Sequence, residues 1–324
     1  MADEMTCEEA TLRLGVSTCL LGENVRYNGG HARDRYVKGV LGQYAEWVPV
    51  CPEVECGLPT PRESMRLVGD PENPRLIMPK SGRDQTERMR TWAETKLDQL
   101  ASARLDGFIF KKNSPSSGAF RVKVYDKNGV PQRTGSGMFA GAFMDRFPNL
   151  PVEEEGRLND ARLRENFIER IFAHCRWRQL LETDPTTGGL VAFHTSVKLA
   201  LMAHSPRHYQ ELGRLVARVG TMDWGEAAEQ YETGYMEGLK VLATRGRHAN
   251  VLQHLMGYLK DHLRSEDKQE LLGLIEDYRQ GMVPLIVPIT LFNHHLARNP
   301  VPDWVHVQTY LHPYPRELML RNHV

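Results

Sequence analysis

The feature that most constrains this chain is a change of hydrophobic period part-way along it. Up to about residue 150, apolar residues come in short runs closed by turns. Beyond Val152 they recur every three to four residues over long stretches. A period near two builds strands and a period near 3.6 builds amphipathic helices, so the two parts need different architectures. In the first part the strand-like runs are Leu12–Val16, 46–51 with β-branched Val48 and Val50 closed by Pro52, and Leu105–Phe110. Met65–Met78 alternates but is interrupted by Gly69, Asp70 and Pro74. Between them Thr86–Ala103 places Met89, Trp92, Ala93, Leu97 and Leu100 on one helical face, and Gly135–Gly137 opens another helix. Strand, helix and strand in that rhythm predict a parallel α/β sheet, with a hairpin arm at Val122–Tyr125 turning at Asn128-Gly129.

The second part reads as all-α. Helices are expected over 163–181, 189–203, 206–219, 224–243, 249–263 and 268–279, punctuated by Gly220, Gly246 and Pro284. Pro284–Pro288 and His312–Pro315 read as extended segments. The predicted division is 1–152 and 153–324, with Glu153–Gly156 as an acidic hinge. At 324 residues the chain has room for two domains.

Charge narrows the partners. Forty-one basic and 41 acidic side chains cancel, so no net field is available to hold a long polyanion, which weighs against a large RNA. The longest apolar stretch, near Met282–Phe292, is broken by two prolines and is too short to span a bilayer. The opening residues are acidic and lack a secretory layout, so a cytoplasmic protein with reduced thiols is expected. Cys7, Cys19, Cys51, Cys56 and Cys175 are therefore read as ligands, nucleophiles or core fillers.

Cys19 follows the first strand and Cys51 closes the second. Ligands of open parallel sheets collect outside the carboxyl ends of strands, so both thiols can share one crevice, and Cys56 lies five residues further on. Three thiolates suit either zinc, with His31 as a candidate fourth ligand, or a four-iron cluster with one open iron. The plain alternative is a pair of small buried side chains. Glu53 is a candidate general acid or base and Glu55 a loop charge. Arg26 and Arg62 offer guanidinium forks for an anionic or carbonyl group, or structural ion pairs. The turn 111–118 brings Ser114, Ser116 and Ser117 to the same edge. Twelve of the thirteen histidines fall in the helical part. Pairs such as His204 and His208 share a face without a third ligand and read as structural.

Four motifs, VSTCLLGENVRYNGG, VPVCPEVECGLPTPRE, GFIFKKNSPSSG and TGSGMFA, occur in that order over roughly residues 12–150. Together they resemble the bacterial iron–sulfur 2-thiouracil desulfidases. The stretch from ENFIERIF through LVAFHTSVKLALMAHSPRHYQELGRLV resembles the YbgA domain. The resemblance implies a Rossmann-like α/β domain carrying a [4Fe–4S] cluster on three cysteines, followed by a helical bundle. The open iron would accept sulfur from a thiolated pyrimidine. Single-domain relatives carry cysteine in an SPSCG motif where this chain has Ser117, so only Cys19 and Cys51 match family ligands, and Cys56 is expected to supply the missing thiolate. On this reading Glu53 and Ser114 are catalytic, and Ser116, Ser117, Arg26 and Arg62 contact substrate. No nicotinamide or flavin is implied. Other readings of the same residues are a cluster-bearing sensor, an RNA- or protein-binding module, or a zinc protein. Whether the substrate is a free base, a nucleotide or modified tRNA stays open, as does oligomeric state, a dimer included.

Overall fold

The computed structural model describes residues 12–324; Cys7 lies outside them. The chain divides into two compact units, 1–159 and 160–324. In the first, strand β1 (Leu12–Ser17) leads through short helical turns over 18–43 to β2 (Ala45–Val50), which is followed at once by the one-turn helix α1 (Pro52–Glu55). A hairpin of β3 (Arg66–Val68) and β4 (Arg75–Ile77) precedes helix α2 (Thr86–Ala101) and strand β5 (Gly107–Phe110). Next come β6 (Val122–Tyr125), β7 (Pro131–Gly135), α3 (Met138–Arg146) and β8 (Val152–Glu154).

The main sheet is parallel throughout, in the order β2-β1-β5-β8. Its β5 is buried along its whole length, which explains why LDGFIF reads as a continuous apolar run rather than an alternation. A second, mixed sheet runs β4-β3-β6-β7. The sequence pattern shows the hairpin arm at Val122–Tyr125 and an interrupted alternation over 65–78 but not their union, because the parallel pair β3–β6 joins segments more than fifty residues apart.

The core of the first unit is aromatic. Phe108, Phe110, Phe139 and Phe143 pack with Ala93, Leu97 and Leu100 of α2. Phe108 stacks on Phe110 at 4.2 Å between centroids and meets Phe143 edge-on at 4.9 Å. Gly15, paired with Phe108 across the β1–β5 ladder, makes this packing possible: a Cβ there would lie 2.1 Å from the Phe108 ring.

Glu153–Gly156, expected as a hinge, is instead the end of β8 and the turn after it. Its three carboxylates are buried, and each has its own donors. Glu153 takes the Arg157 Nε–H at 2.7 Å, and Glu154 Oε1 takes the amides of Ala119 and Phe120 at 2.9 and 3.1 Å. Glu155 takes the Lys112 amide at 2.8 Å and pairs with Lys111. Burial raises the Glu154 pKa against the pull of those two amides.

The second unit is helical: α4 (Ala161–Thr183), α5 (Thr187–His204), α6 (Pro206–Arg218), α7 (Trp224–Lys240), α8 (Arg245–Leu259), α9 (Ser265–Gln280), α10 (Ile286–Leu296) and α11 (Asp303–His306). Side chains of Asp160, Thr186, Ser205, Asp223 and Thr244 cap α4 to α8 in turn by accepting first-turn amides. The segment Pro284–Pro288, expected to be extended, mostly enters α10. Pro288 falls in the first turn of that helix, where an amide has no intrahelical acceptor, so the missing N–H costs nothing. No helix among the described residues is long and apolar enough to cross a membrane.

Gly15→Ala should lower the unfolding free energy by about 1–3 kcal/mol, the usual cost of forcing a methyl group into a packed core. Urea denaturation reads it directly, and Gly39→Ala, whose Cβ would meet no atom within 4 Å, controls for loss of glycine alone.

Candidate functional site

All four strands of the parallel sheet deliver residues to one end. Cys19 follows β1, Cys51 follows β2, the turn 111–118 follows β5, and Glu155 follows β8. Strand order reverses direction at β1, which places a crevice at the carboxyl ends there. A cavity of about 280 Å³ occupies that crevice. It is lined by Cys19, Cys51, Glu53, Arg26 and Arg62, together with the serine turn from Lys111 to Ser117.

Glu53 is bonded through both carboxylate oxygens. Its Oε2 takes the Arg62 Nε–H at 2.7 Å, and its Oε1 takes the Ser116 hydroxyl at 2.8 Å. The Ser116 and Ser114 hydroxyls lie 3.0 Å apart, and Ser114 Oγ accepts the Ser117 amide at 3.0 Å. Proline at 115 and this side-chain-to-backbone turn hold the three serines on one short arc. The Ser117 hydroxyl has no protein partner and faces the cavity.

Arg62 is held on several sides by the protein itself. Besides Glu53 it donates to the carbonyls of Val25 at 2.9 Å and Pro59 at 3.3 Å, and its side chain is 3% exposed. It ties the loop after α1 to the crossover after β1. Arg26, by contrast, makes no ion pair, and its guanidinium lies over Tyr27 at 5.8 Å. Glu55 turns away from the cavity, accepting the Cys51 amide at 2.7 Å and pairing with Lys96 at 2.9 Å.

Cys19 and Cys51 both line the cavity. Burial pushes the Cys19 thiol up to about 11, with Lys111 and Arg26 pulling the other way; burial also raises Cys51. Cys56 does not line it. Its thiol points back along the turn of α1 to the Glu53 carbonyl at 3.3 Å and packs on the small core of Leu67, Leu76, Met89, Val122 and Val124. Among the described residues no group of three or more His, Cys, Asp or Glu side chains is arranged to hold a metal ion. As the loops stand, the donors facing the cavity are two thiols and the Ser117 hydroxyl, so a third thiolate for a cluster would have to come from Cys56, outside it.

Sequence reasoning passed over Tyr27, Lys111, Lys112 and Asn113, which also line the cavity. The adjacent lysines directly after a buried apolar strand were the available signal. The Lys111 amide donates to Ser17 Oγ at 2.9 Å, clipping the ends of β1 and β5 together.

The model of the 2-thiouracil desulfurase family matches residues 14–155, and the DUF1722 model, a family of unknown function, matches 198–315. The chain is 34% identical over 169 residues to the uncharacterized protein YbgA of Escherichia coli K12, covering 51% of this chain and 98% of that protein. It is 32% identical over 150 residues to the uncharacterized protein YbbK of Bacillus subtilis 168, covering 45% and 97%. The chain belongs to the 2-thiouracil desulfurase family, with a YbgA-type domain behind it. Among solved structures it is similar to the [4Fe-4S]-dependent thiouracil desulfidase TudS, with 29% identity, a TM-score of 0.38, and coverage of 46% of this chain and 93% of that one.

In this desulfurase-family unit, Arg62→Leu should cost about 3 kcal/mol of stability, because it strands the Glu53 carboxylate among low-dielectric walls. The double variant Arg62→Leu with Glu53→Gln should recover most of that loss in denaturant titrations. Additive losses would show that the pair is not coupled.

Proposed function

We propose that the first unit desulfurates a thiolated pyrimidine of free-base size, replacing the thiocarbonyl sulfur by a water oxygen and releasing hydrogen sulfide. Family membership supports the reaction class. The chain Ser114–Ser116–Glu53, held by Arg62 on the cavity wall, is the observation that carries it. Hydrolytic desulfuration needs a group to take a proton from the attacking water and return one to the departing sulfur. A carboxylate hydrogen-bonded to a serine relay can do both. Glu53 is that acid–base, and the hydroxyls of Ser114 and Ser116 pass protons between it and the ring. The free Ser117 hydroxyl and Arg26 hold the polar edge of the pyrimidine. A volume of about 280 Å³ suits a single ring better than a polymer end.

The family resemblance implies a [4Fe–4S] cluster, which would supply a Lewis-acidic iron for the substrate sulfur. Cys19 and Cys51 would hold it. We assign the third place to Cys56, which requires the turn Pro52–Glu55 to open, since the thiol now lies outside the cavity. The proton steps above are those of the side chains alone.

Anaerobic reconstitution followed by iron and sulfide assays tests the ligand assignment. About four irons and four sulfides per chain are expected, lost in Cys56→Ser and restored when Ser117→Cys is added. A Cys56→Ser protein that keeps the full complement overturns the assignment. For the reaction, conversion of 2-thiouracil to uracil should fall about 10²- to 10⁴-fold in Glu53→Gln with the iron content unchanged. A reconstituted protein that converts no thiolated base would sink the functional reading.

A further inference from the structure

The helical unit contains a cavity of about 560 Å³, twice the volume of the one at the sheet edge. Its rim carries Arg162, from the first turn of α4, and Arg245, from the first turn of α8. Neither guanidinium has a carboxylate partner. Arg162 donates only to the Ala243 carbonyl, at 3.4 Å, and Arg245 makes no hydrogen bond or ion pair. The fold nevertheless makes room for Arg245. At the left-handed glycine ending α9, Gly281, a Cβ would lie 2.1 Å from its Nη1.

Cations at the start of a helix oppose the helix dipole, so two arginines there are a local cost that a bound anion would offset. The same helix end offers donors. Thr244 accepts the amides of Arg247 and His248 through its hydroxyl and carbonyl, at 3.3 and 3.0 Å, leaving the Arg245 and Gly246 amides without acceptors.

The floor of the cavity independently points to a ligand. Tyr278 is 1% exposed and lines the cavity, yet its hydroxyl has no partner. Burial pushes this phenol up to about 12, so it is a donor at neutral pH. Beside it His248 engages Tyr310 through Nδ1 at 3.0 Å, and its other ring nitrogen is free. A hydroxyl and a ring nitrogen left unpaired by the protein, on side chains 1% and 6% exposed, thus line the same cavity as the two guanidiniums.

Glu165 and His204 line the same cavity and belong to an ionic network of their own. Glu169 pairs with His204 at 3.2 Å, and Glu165 takes the Tyr314 hydroxyl at 3.0 Å with Arg321 3.7 Å away. The Nε and Nη2 atoms of Arg321 in this network have no hydrogen-bond partner.

We propose that this cavity binds an organic phosphate of nucleoside-monophosphate size, with its phosphate on Arg162, Arg245 and the free amides of α8 and its organic part against Tyr278 and His248. Helix amides joined by guanidiniums favour phosphate, and the volume lies in the range of small-molecule sites. The inference stands apart from the desulfuration reading, since it uses no residue of the first unit.

Calorimetric titration of the full chain with UMP, inorganic phosphate and uridine at low salt is the test. UMP should bind saturably, phosphate more weakly, and uridine weakest. Arg245→Gln should weaken UMP at least about 10-fold, the usual loss for a charge-assisted contact. Gly246→Asp is the sharper variant. A Cβ there meets no protein atom, and an acidic residue in the first helical turn favours the fold, so thermal stability should hold or rise while UMP binding is lost. Tyr278→Phe should weaken UMP but not phosphate, and Glu53→Gln in the other cavity should leave UMP affinity unchanged. Absence of saturable UMP binding, or binding indifferent to Gly246→Asp, overturns the proposal. Phosphate binding as tightly as UMP overturns the role given to Tyr278 and His248.

Discussion

The ion pair between Glu53 and Arg62 is the constraint on which the sheet-edge site depends. Glu53 stands on a single helical turn directly after β2, a place where an unpartnered carboxylate would swing into solvent. Arg62 prevents this by occupying one carboxylate oxygen while its remaining donors anchor to the Val25 and Pro59 carbonyls. The other oxygen is then left in one direction, and Ser116 is there. A guanidinium can do this because its donors lie in a fixed plane, whereas a lysine in the same place would supply charge without orientation. Desolvation makes the arrangement stiff as well, since neither partner can leave without stranding the other.

The serine turn is fixed from the opposite side by the acidic end of β8. Glu154 accepts the amides of Ala119 and Phe120, just beyond the serines, and Glu155 holds Lys111 and the Lys112 amide just before them. The turn is therefore pinned at both ends by an edge strand contributed from far along the chain. This is why a motif that looks like a flexible polar loop is largely buried: Ser116 is 1% and Ser117 6% exposed. Gly137 completes the clamp, because a Cβ there would lie 2.6 Å from the Ser116 carbonyl carbon, so α3 can begin directly against the turn.

Much of this was legible in the sequence, for reasons that can be stated residue by residue. The parallel sheet follows from short apolar runs alternating with a helix whose face is marked by Met89, Ala93, Leu97 and Leu100. The cavity wall follows from Cys19, Cys51 and the serines falling after strands, since strand ends in such a sheet converge. Three things were not legible. The acidic stretch after Val152 reads as a solvated hinge because each carboxylate finds its donors only in the tertiary structure. Pro288 reads as a break because its harmless position in the first turn of α10 depends on where that helix begins. Cys56 reads as a neighbour of Cys51, but α1 separates them. Five residues spanning one helical turn place the second thiol beside the Glu53 carbonyl and the mixed-sheet core, a direction that linear distance does not reveal.

The zero net charge also conceals two ways of handling buried ionic groups. Around Glu53, and again around Glu165, Glu169, His204 and Arg321, opposite charges are matched within the protein. Burial raises the Glu165 pKa, while Glu169 is held down, to about 2, by His204 and raises the pKa of that imidazole in return. Such networks hold elements together by matching charge within the protein. Where the protein departs from this rule, as at Arg162, Arg245 and the hydroxyl of Tyr278, polar groups stand around a large cavity with their bonding capacity unspent. Tyr278 is almost fully buried and lines the same cavity as the two guanidiniums, with no protein partner for its hydroxyl. Mismatches of this kind separate a site from a scaffold, and by that physical criterion the helical unit has an interior as chemically specific as the desulfurase-family unit before it.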